Sequence, residues 1–280
     1  MINPTGYYLP GVKIKMTQPK IDWEKLWQEE LNTEKKRRNW DNIASKFGKW
    51  IEEDDYPTKL LKYMNITPKD TIVDLGCGEG SITIPLAKKS SKVLAVDKSK
   101  EMLNILNKKA KEEKLTNIKT LNEDIFTINK EKIGKYDIVL ASRSVSGTYE
   151  IKKLIKTLNQ ISNKYVYITF YGPDNKKEAN KALKYIGKET EKIPDHTIIY
   201  NLLNSMNIKA NVINLECESV KSYDTLKEAI ERFKWKMGDI TPEQEEKLNK
   251  YLKTVFKKNK KGKWENPEDK GDWVLIYWKV

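Results

Sequence analysis

Three aspartates in this 280-residue chain stand where carboxylates can accept hydrogen bonds from a bound molecule. Asp74 lies within T-I-V-D-L-G-C-G-E-G-S (Thr71–Ser81), Asp97 ends K-V-L-A-V-D (Lys92–Asp97), and Asp124 falls near the end of I-K-T-L-N-E-D-I-F (Ile118–Phe126). Ile72, Val73 and Leu75 form a short apolar run of the kind a buried parallel strand shows. Gly76, Gly78 and Gly80 follow at alternating positions. The next stretch, S-I-T-I-P-L-A-K-K, can start a helix with Ser81 as N-cap and Pro85 within about its first turn. A strand that runs through a glycine loop into a helix offers bare backbone for a ligand to press against. A side chain at Gly76 or Gly78 is expected to stand in the ligand's space.

The spacing separates two ligand classes. A dinucleotide loop, G-x-G-x-x-G, requires its third glycine at position 81, and that residue is Ser81. The loop is instead D-x-G-x-G-x-G, with room for an amino-acid moiety along the backbone and Asp74 near its ammonium group. Cys77 sits inside the loop, where a small residue fits. Asp97 lies about 20 residues further on, where an acid accepts hydrogen bonds from ribose hydroxyls. Asp124 and Ile125 form a pair that can hold an adenine, the carboxylate reading its amino group and the isoleucine packing on its face. Met102, just after Asp97 and Lys98, either covers that adenine or belongs to the core.

Four segments, V-D-L-G-C-G-E-G (Val73–Gly80), V-D-K-S (Val96–Ser99), N-E-D-I (Asn122–Ile125) and Y-D-I-V-L-A-S (Tyr136–Ser142), occur in this order. Across roughly Trp40–Gly172 the chain resembles the class I S-adenosylmethionine-dependent methyltransferases, in the manner of a type 11/25-like methyltransferase domain. The resemblance implies S-adenosylmethionine as cofactor and S-adenosylhomocysteine as product. It implies a cofactor site of Asp74, Gly76, Cys77, Gly78, Gly80, Asp97, Lys98, Met102, Asp124, Ile125 and Ser142, with no metal. It also places the loop S-R-S-V-S-G-T-Y (Ser142–Tyr149) beside the methyl group. That loop lacks the [N/D]-P-P-[Y/F] motif of enzymes that methylate base amines, and it does not satisfy G-x-S-x-G. Displacement at a sulfonium methyl needs alignment and desolvation more than a covalent nucleophile. No catalytic residue is therefore legible; Tyr149, Arg143, His196, Tyr7 and Tyr8 are candidates, and Arg143 can meet an acidic group.

These residues need a scaffold. The expectation is a Rossmann-like, doubly wound α/β sheet of seven strands, the last antiparallel as in that family. Residues 1–55 form an N-terminal arm and helical cap, 56–221 the cofactor-binding core, 222–270 a helical insertion, and 271–280 the final strand. The cap carries an aromatic stripe, Trp40, Ile43, Phe47 and Trp50, that either packs on the sheet or forms a lid. In the insertion, Thr241-Pro242-Glu243-Gln244 is a capping-box helix start. Phe233, Trp235 and Met237 can line a substrate wall. The lysines Lys247, Lys250, Lys253, Lys257, Lys258, Lys260, Lys261 and Lys263 are either a solvated face or a contact for phosphate backbone or an anionic small substrate.

Composition narrows the rest. The net charge of +13 accompanies abundant lysine, asparagine and isoleucine with little arginine. That is a bias of the whole chain more than a nucleic-acid footprint, because bidentate phosphate contacts favour arginine. With two cysteines, a structural disulfide or zinc site is not expected, and a reducing cytoplasm is. No apolar run reaches the roughly 20 residues of a membrane span, and the first residues lack a signal-peptide pattern. The expected partner is a small-molecule acceptor. RNA is the second reading, and a cofactor-binding protein without transfer activity the third. Oligomeric state is not legible.

Overall fold

The computed structural model describes residues 21–31, 40, 41, 44, 54–190 and 194–280. Tyr7, Tyr8, most of the aromatic stripe and most of the expected cap lie outside the described residues.

Eight strands form one sheet in the order β3-β2-β1-β4-β5-β8-β6, with β7 paired to β8. These are β1 (Thr71–Leu75), β2 (Lys92–Asp97), β3 (Ile118–Asn122), β4 (Tyr136–Ser142), β5 (Ser162–Tyr171), β6 (Asn211–Tyr223), β7 (Lys257–Lys258) and β8 (Trp264–Lys279). The pairs among β1 to β5 are parallel, and β8 runs antiparallel to both β5 and β6. The helices are α1 (Trp23–Glu30), α2 (Tyr56–Leu61), α3 (Thr83–Ala87), α4 (Lys100–Glu112), α5 (Lys130–Ile133), α6 (Ile151–Ile161), α7 (Lys177–Tyr185), α8 (His196–Ser205), α9 (Leu226–Met237) and α10 (Pro242–Val255). The expected seven-stranded, doubly wound sheet with its antiparallel last strand is present, and the two-residue β7 is an addition to it.

The local reasons are those that the patterns announce. Ile72, Val73 and Leu75 of β1 are all buried, because a central parallel strand is covered on both faces. In α4 the Ser99 hydroxyl accepts from the Met102 amide, and Met102, Leu103, Leu106 and Ala110 are buried on one stripe. The helix after the glycine loop starts later than expected: Ile82, not Ser81, is its N-cap. Thr83 donates its hydroxyl to Asp74 at 2.7 Å and is held there. Pro85 still falls within the first turn, where its missing N–H costs nothing.

α1 is capped by Asp22, whose carboxylate accepts from the amides of Glu24 and Lys25. It buries Trp27 completely. The indole lies 5.4 Å from the Phe170 ring and donates to the Thr148 carbonyl at 2.8 Å. An N-terminal element thus grips the loop after β4.

The insertion differs most from expectation. β6 runs on to Tyr223 and β8 begins already at Trp264, so the two pair along an antiparallel ladder from Asn211↔Tyr277 to Tyr223↔Trp264. The last strand is therefore longer than a start near residue 271 implies. Antiparallel neighbours joined through an insertion can extend together beyond the sheet, each satisfying the other's backbone groups. α9 and α10 hang from this arm and bury their own apolar cluster with α7, including Leu183, Phe233, Met237, Leu248 and Phe256. The capping box at Thr241 and Gln244 is formed.

Candidate active site

Strand order reverses between β1 and β4, and in such sheets ligands bind beyond the carboxyl ends of the strands at that switch. A cavity of about 700 Å³ opens there, within the roughly 300–1,000 Å³ of ligand sites. Its lining includes Asp74, Gly76, Cys77, Gly78, Asp97, Lys98, Met102, Asp124, Ile125 and Ser142. Gly80 alone of the anticipated site residues is outside that lining.

The three glycines do different work. Gly78 has φ +55°, and a Cβ built on it meets nothing within 4 Å, so its backbone faces open space. Gly76 has φ +78°, and its Cβ would lie 2.4 Å from Ser144 Cβ. That corrects the expectation for Gly76: a side chain there collides with the protein, since the β4 loop crosses it, before it meets any ligand. Ser144 is fixed by donating to the Leu75 carbonyl at 2.7 Å. Gly80 has φ +90°, and its Cβ would lie 2.3 Å from Leu106 Cδ1; its smallness lets α4 approach.

The Asp97 carboxylate accepts from the Gly78 amide on one oxygen and from the Ser99 amide on the other, both at 2.8 Å. Each oxygen keeps a lone pair for a hydroxyl. Burial raises its pKa despite those two bonds. Asp74 is almost fully buried. Burial, with the charge of Asp97 adding to it and the Thr83 bond opposing, pushes its carboxyl up to about 7. The Cys77 thiol is pushed well up by burial and by Asp74 and Asp97, so it is a neutral small side chain and not a nucleophile. Asp124 accepts from the Phe126 amide at 3.0 Å, and Ile125 is buried beside it. Two contributors here lie within Ile118–Phe126, but the sequence assigns them no role. Asn122 ties the ends of β2 and β3 by donating to the Asp97 and Lys98 carbonyls, and Phe126 lines the wall.

The loop after β4 resolves several candidates. Arg143, at φ +55°, bonds Asp54 at 3.1 Å and lies 4.0 Å from the centre of the Tyr56 ring. Its guanidinium is therefore already engaged. Ser142 shares a hydroxyl network with Tyr56 (2.6 Å) and Thr169. Tyr149 lines the cavity and is half exposed. His196 opens α8 and is not among the lining residues.

The far end of the same cavity is built by the arm and the insertion. Trp235 reaches it and meets Trp40 edge-on at 5.5 Å. Phe233 and Met237, expected beside it, instead pack inside the insertion's own cluster, because they lie on the opposite stripe of α9. Lys221, Arg232, Lys236 and Asp269 also line this end, and no sequence pattern points to them, because they are spread over β6, α9 and β8.

The comparisons agree with this geometry. A family model described as "Methyltransferase domain" matches residues 66–229. An uncharacterized protein of Haemophilus influenzae is 27% identical over 247 residues, covering 86% of this chain and 88% of that protein. The YcgJ protein of Bacillus subtilis superposes with a TM-score of 0.54 at 12% identity, covering 80% of this chain and 97% of that one. A SAM-dependent methyltransferase of Aquifex aeolicus gives a TM-score of 0.51 at 15% identity, with 87% and 100% covered. The family match spans more than half of the chain, and this chain belongs to the class I S-adenosylmethionine-dependent methyltransferases.

Proposed function

We propose that the chain transfers a methyl group from S-adenosylmethionine to a small-molecule acceptor held at the insertion end of the cavity. The observation that carries this reading is continuity. One cavity is lined both by the glycine loop with its carboxylates and by Trp235 and Lys221.

The residues present suit the cofactor. Gly78 leaves a cradle that a Cβ would fill. Asp97 has two oxygens with spare lone pairs for ribose hydroxyls. Asp124 and Ile125 supply an acceptor and an apolar face for adenine, with Met102 buried alongside. Asp74, beside the loop, suits an ammonium group, and a cation there draws its carboxyl toward the ionised form. Bound there, the cofactor would supply an electrophilic methyl carried on a sulfonium, open to displacement by a lone pair of the acceptor. The chain's part is alignment and exclusion of water. Trp27 fixes the Thr148 carbonyl, and the Arg143–Asp54 pair fixes the loop after β4. Tyr149 and Ser146 are hydroxyl-bearing residues of that loop that line the cavity. Both cysteines are buried free thiols, which suits a reducing cytoplasm. Among the described residues no helix is long and apolar enough to cross a membrane.

The RNA reading rests on the insertion's lysines, and several of these are already matched. Lys247 pairs with Glu243 at 2.8 Å, Lys250 with Glu246 at 2.9 Å and Lys263 with Asp224 at 3.8 Å. Transfer of labelled methyl from S-adenosylmethionine into a metabolite extract and into total RNA tests the proposal, with Gly78→Ala as control. Label in the small-molecule fraction that the control loses supports it. Label confined to RNA, or no label despite cofactor binding, contradicts it.

A further inference from the structure

Lys221 is the residue this reading leaves without a task. It stands on the arm of β6, faces the cavity, and is held by no hydrogen bond or ion pair of a described residue. The groups that face it are Lys236 and Arg232 from α9, Asp269 from β8, and Asp54 ahead of α2. Lys236 lies 3.7 Å from Asp269 and 5.1 Å from the centre of the Phe233 ring. The Arg232 guanidinium sits 4.6 Å from the centre of the Trp235 ring. Asp54 is engaged by Arg143. This end therefore presents ammonium and guanidinium groups next to an aromatic wall, while the glycine-loop end presents Asp74, Asp97 and Asp124.

That polarity sorts ligands. A sulfonium nucleoside carries positive charge and is drawn to the carboxylates; the cationic end repels it and attracts the opposite sign. The Lys221 ammonium, with no hydrogen bond or ion pair to a described residue, is costly to bury in its charged form. We propose, building on the methyltransferase reading of the cavity, that the acceptor is an anion, a carboxylate or phosphate ester, whose charged group is received by Lys221 with Lys236 and Arg232, its apolar part lying against Trp235.

The titration directions fit this field. Burial, then Lys236, with Arg232 adding, pulls the Lys221 amine down to about 7. Burial acts to raise the pKa of Asp269, yet Lys236, Lys221 and Arg232 hold it below its usual value. An acid held down beside an amine held down is what a positive potential does. An arriving anion reverses the effect on Lys221 and keeps it protonated, so anion binding takes up protons near neutral pH.

The test titrates inorganic phosphate, sulfate and succinate into the full chain at matched ionic strength, and S-adenosylhomocysteine separately. At least one of the three is expected to bind above a chloride control and to lose tenfold or more in affinity in Lys221→Met and in Lys236→Gln. S-adenosylhomocysteine affinity should change less than threefold in the same variants. Preference for phosphate over succinate distinguishes a phosphate ester from a carboxylate. Sulfate keeps its charge across this range, so its affinity should fall as pH rises through about 7 in the wild type and stay flat in Lys221→Arg, a readout a merely structural lysine does not move. Anion affinity unchanged in Lys221→Met, or no anion binding above chloride, overturns the proposal. Failure of S-adenosylhomocysteine alone to bind, with the anion results as expected, supports the anion site and overturns the methyltransferase reading instead.

Discussion

The two ends of the cavity are built from different kinds of chain. The glycine-loop end comes from three successive strand tips, within residues 74–126, held by hydrogen bonds between side chain and backbone such as Gly78 N–H to the Asp97 carboxylate and the Asn122 amide to the Asp97 carbonyl. The insertion end is assembled from Lys221, Arg232, Lys236 and Asp269, which meet because β6 and β8 pair along the long arm that carries α9. The first end is compact, acidic and framed by backbone. The second is aromatic, cationic and framed by side chains. A rigid backbone frame suits a cofactor that never changes, and a side-chain frame on an insertion suits a substrate that differs from protein to protein.

Substitutions in the glycine loop should separate its framing role from its ligand role, and they carry the largest expected effect. Gly76→Ala combines a collision with Ser144 and a strained positive φ. It should destabilise the fold by about 2–5 kcal/mol, read as a drop in melting temperature with no ligand present. A melting temperature unchanged by this variant removes the claim that the β4 loop packs on Gly76.

Asp97→Ala should next weaken S-adenosylhomocysteine binding by about 1–3 kcal/mol, the cost of stranding hydrogen-bond partners, and leave phosphate or sulfate binding at the insertion end intact. Loss of both together would merge the two ends into one electrostatic unit. Unchanged nucleoside affinity means the ribose assignment is wrong.

The pH dependence of stability sharpens the same contrast. The Asp74 carboxyl rises on folding from the ordinary 3.8 to about 7. Between those values the folded chain holds a proton that the unfolded chain has released. Its stabilising contribution is therefore complete below about pH 4 and is lost as pH rises toward 7, with a slope of at most about 1.4 kcal/mol per pH unit. Asp97, also raised, acts in the same direction. Denaturant titrations of wild type and Asp74→Asn across this window should show the wild type losing more stability with rising pH. Parallel curves contradict the burial of an ionisable Asp74.

How much of this was legible in the sequence follows from the same contrast. Asp74, Gly78, Asp97 and Asp124 could be found because strand-loop-helix units repeat at fixed spacing, so chemistry and fold share one pattern. Met102 was legible through its place just after Asp97 and Lys98. Lys221, Arg232 and Asp269 were not, since their meeting depends on the register of β6 against β8, and local periodicity carries no information about register across the connection of residues 224–263. The role of Gly76 was misjudged for a related reason: its neighbour, Ser144, is 68 positions away in the chain.

The smallest effect concerns the lysines that first suggest nucleic acid. Lys250 pairs with Glu246 at 2.9 Å on an exposed helix face. Lys250→Ala should leave the melting temperature essentially unchanged, as expected for an exposed pair, and leave the salt dependence of methyl transfer unchanged. A flattened salt dependence would bring that face into the binding surface.

Calorimetric titration of S-adenosylhomocysteine into wild type and Gly78→Ala addresses the central claim most directly. A Cβ at Gly78 meets no protein atom within 4 Å, so the variant should fold with a loss of about 1–2 kcal/mol from its positive φ. Its affinity should nevertheless fall at least tenfold, because the methyl group stands in the cradle. Equal affinity in the two proteins, with both folded, would show that the nucleoside does not lie against this backbone.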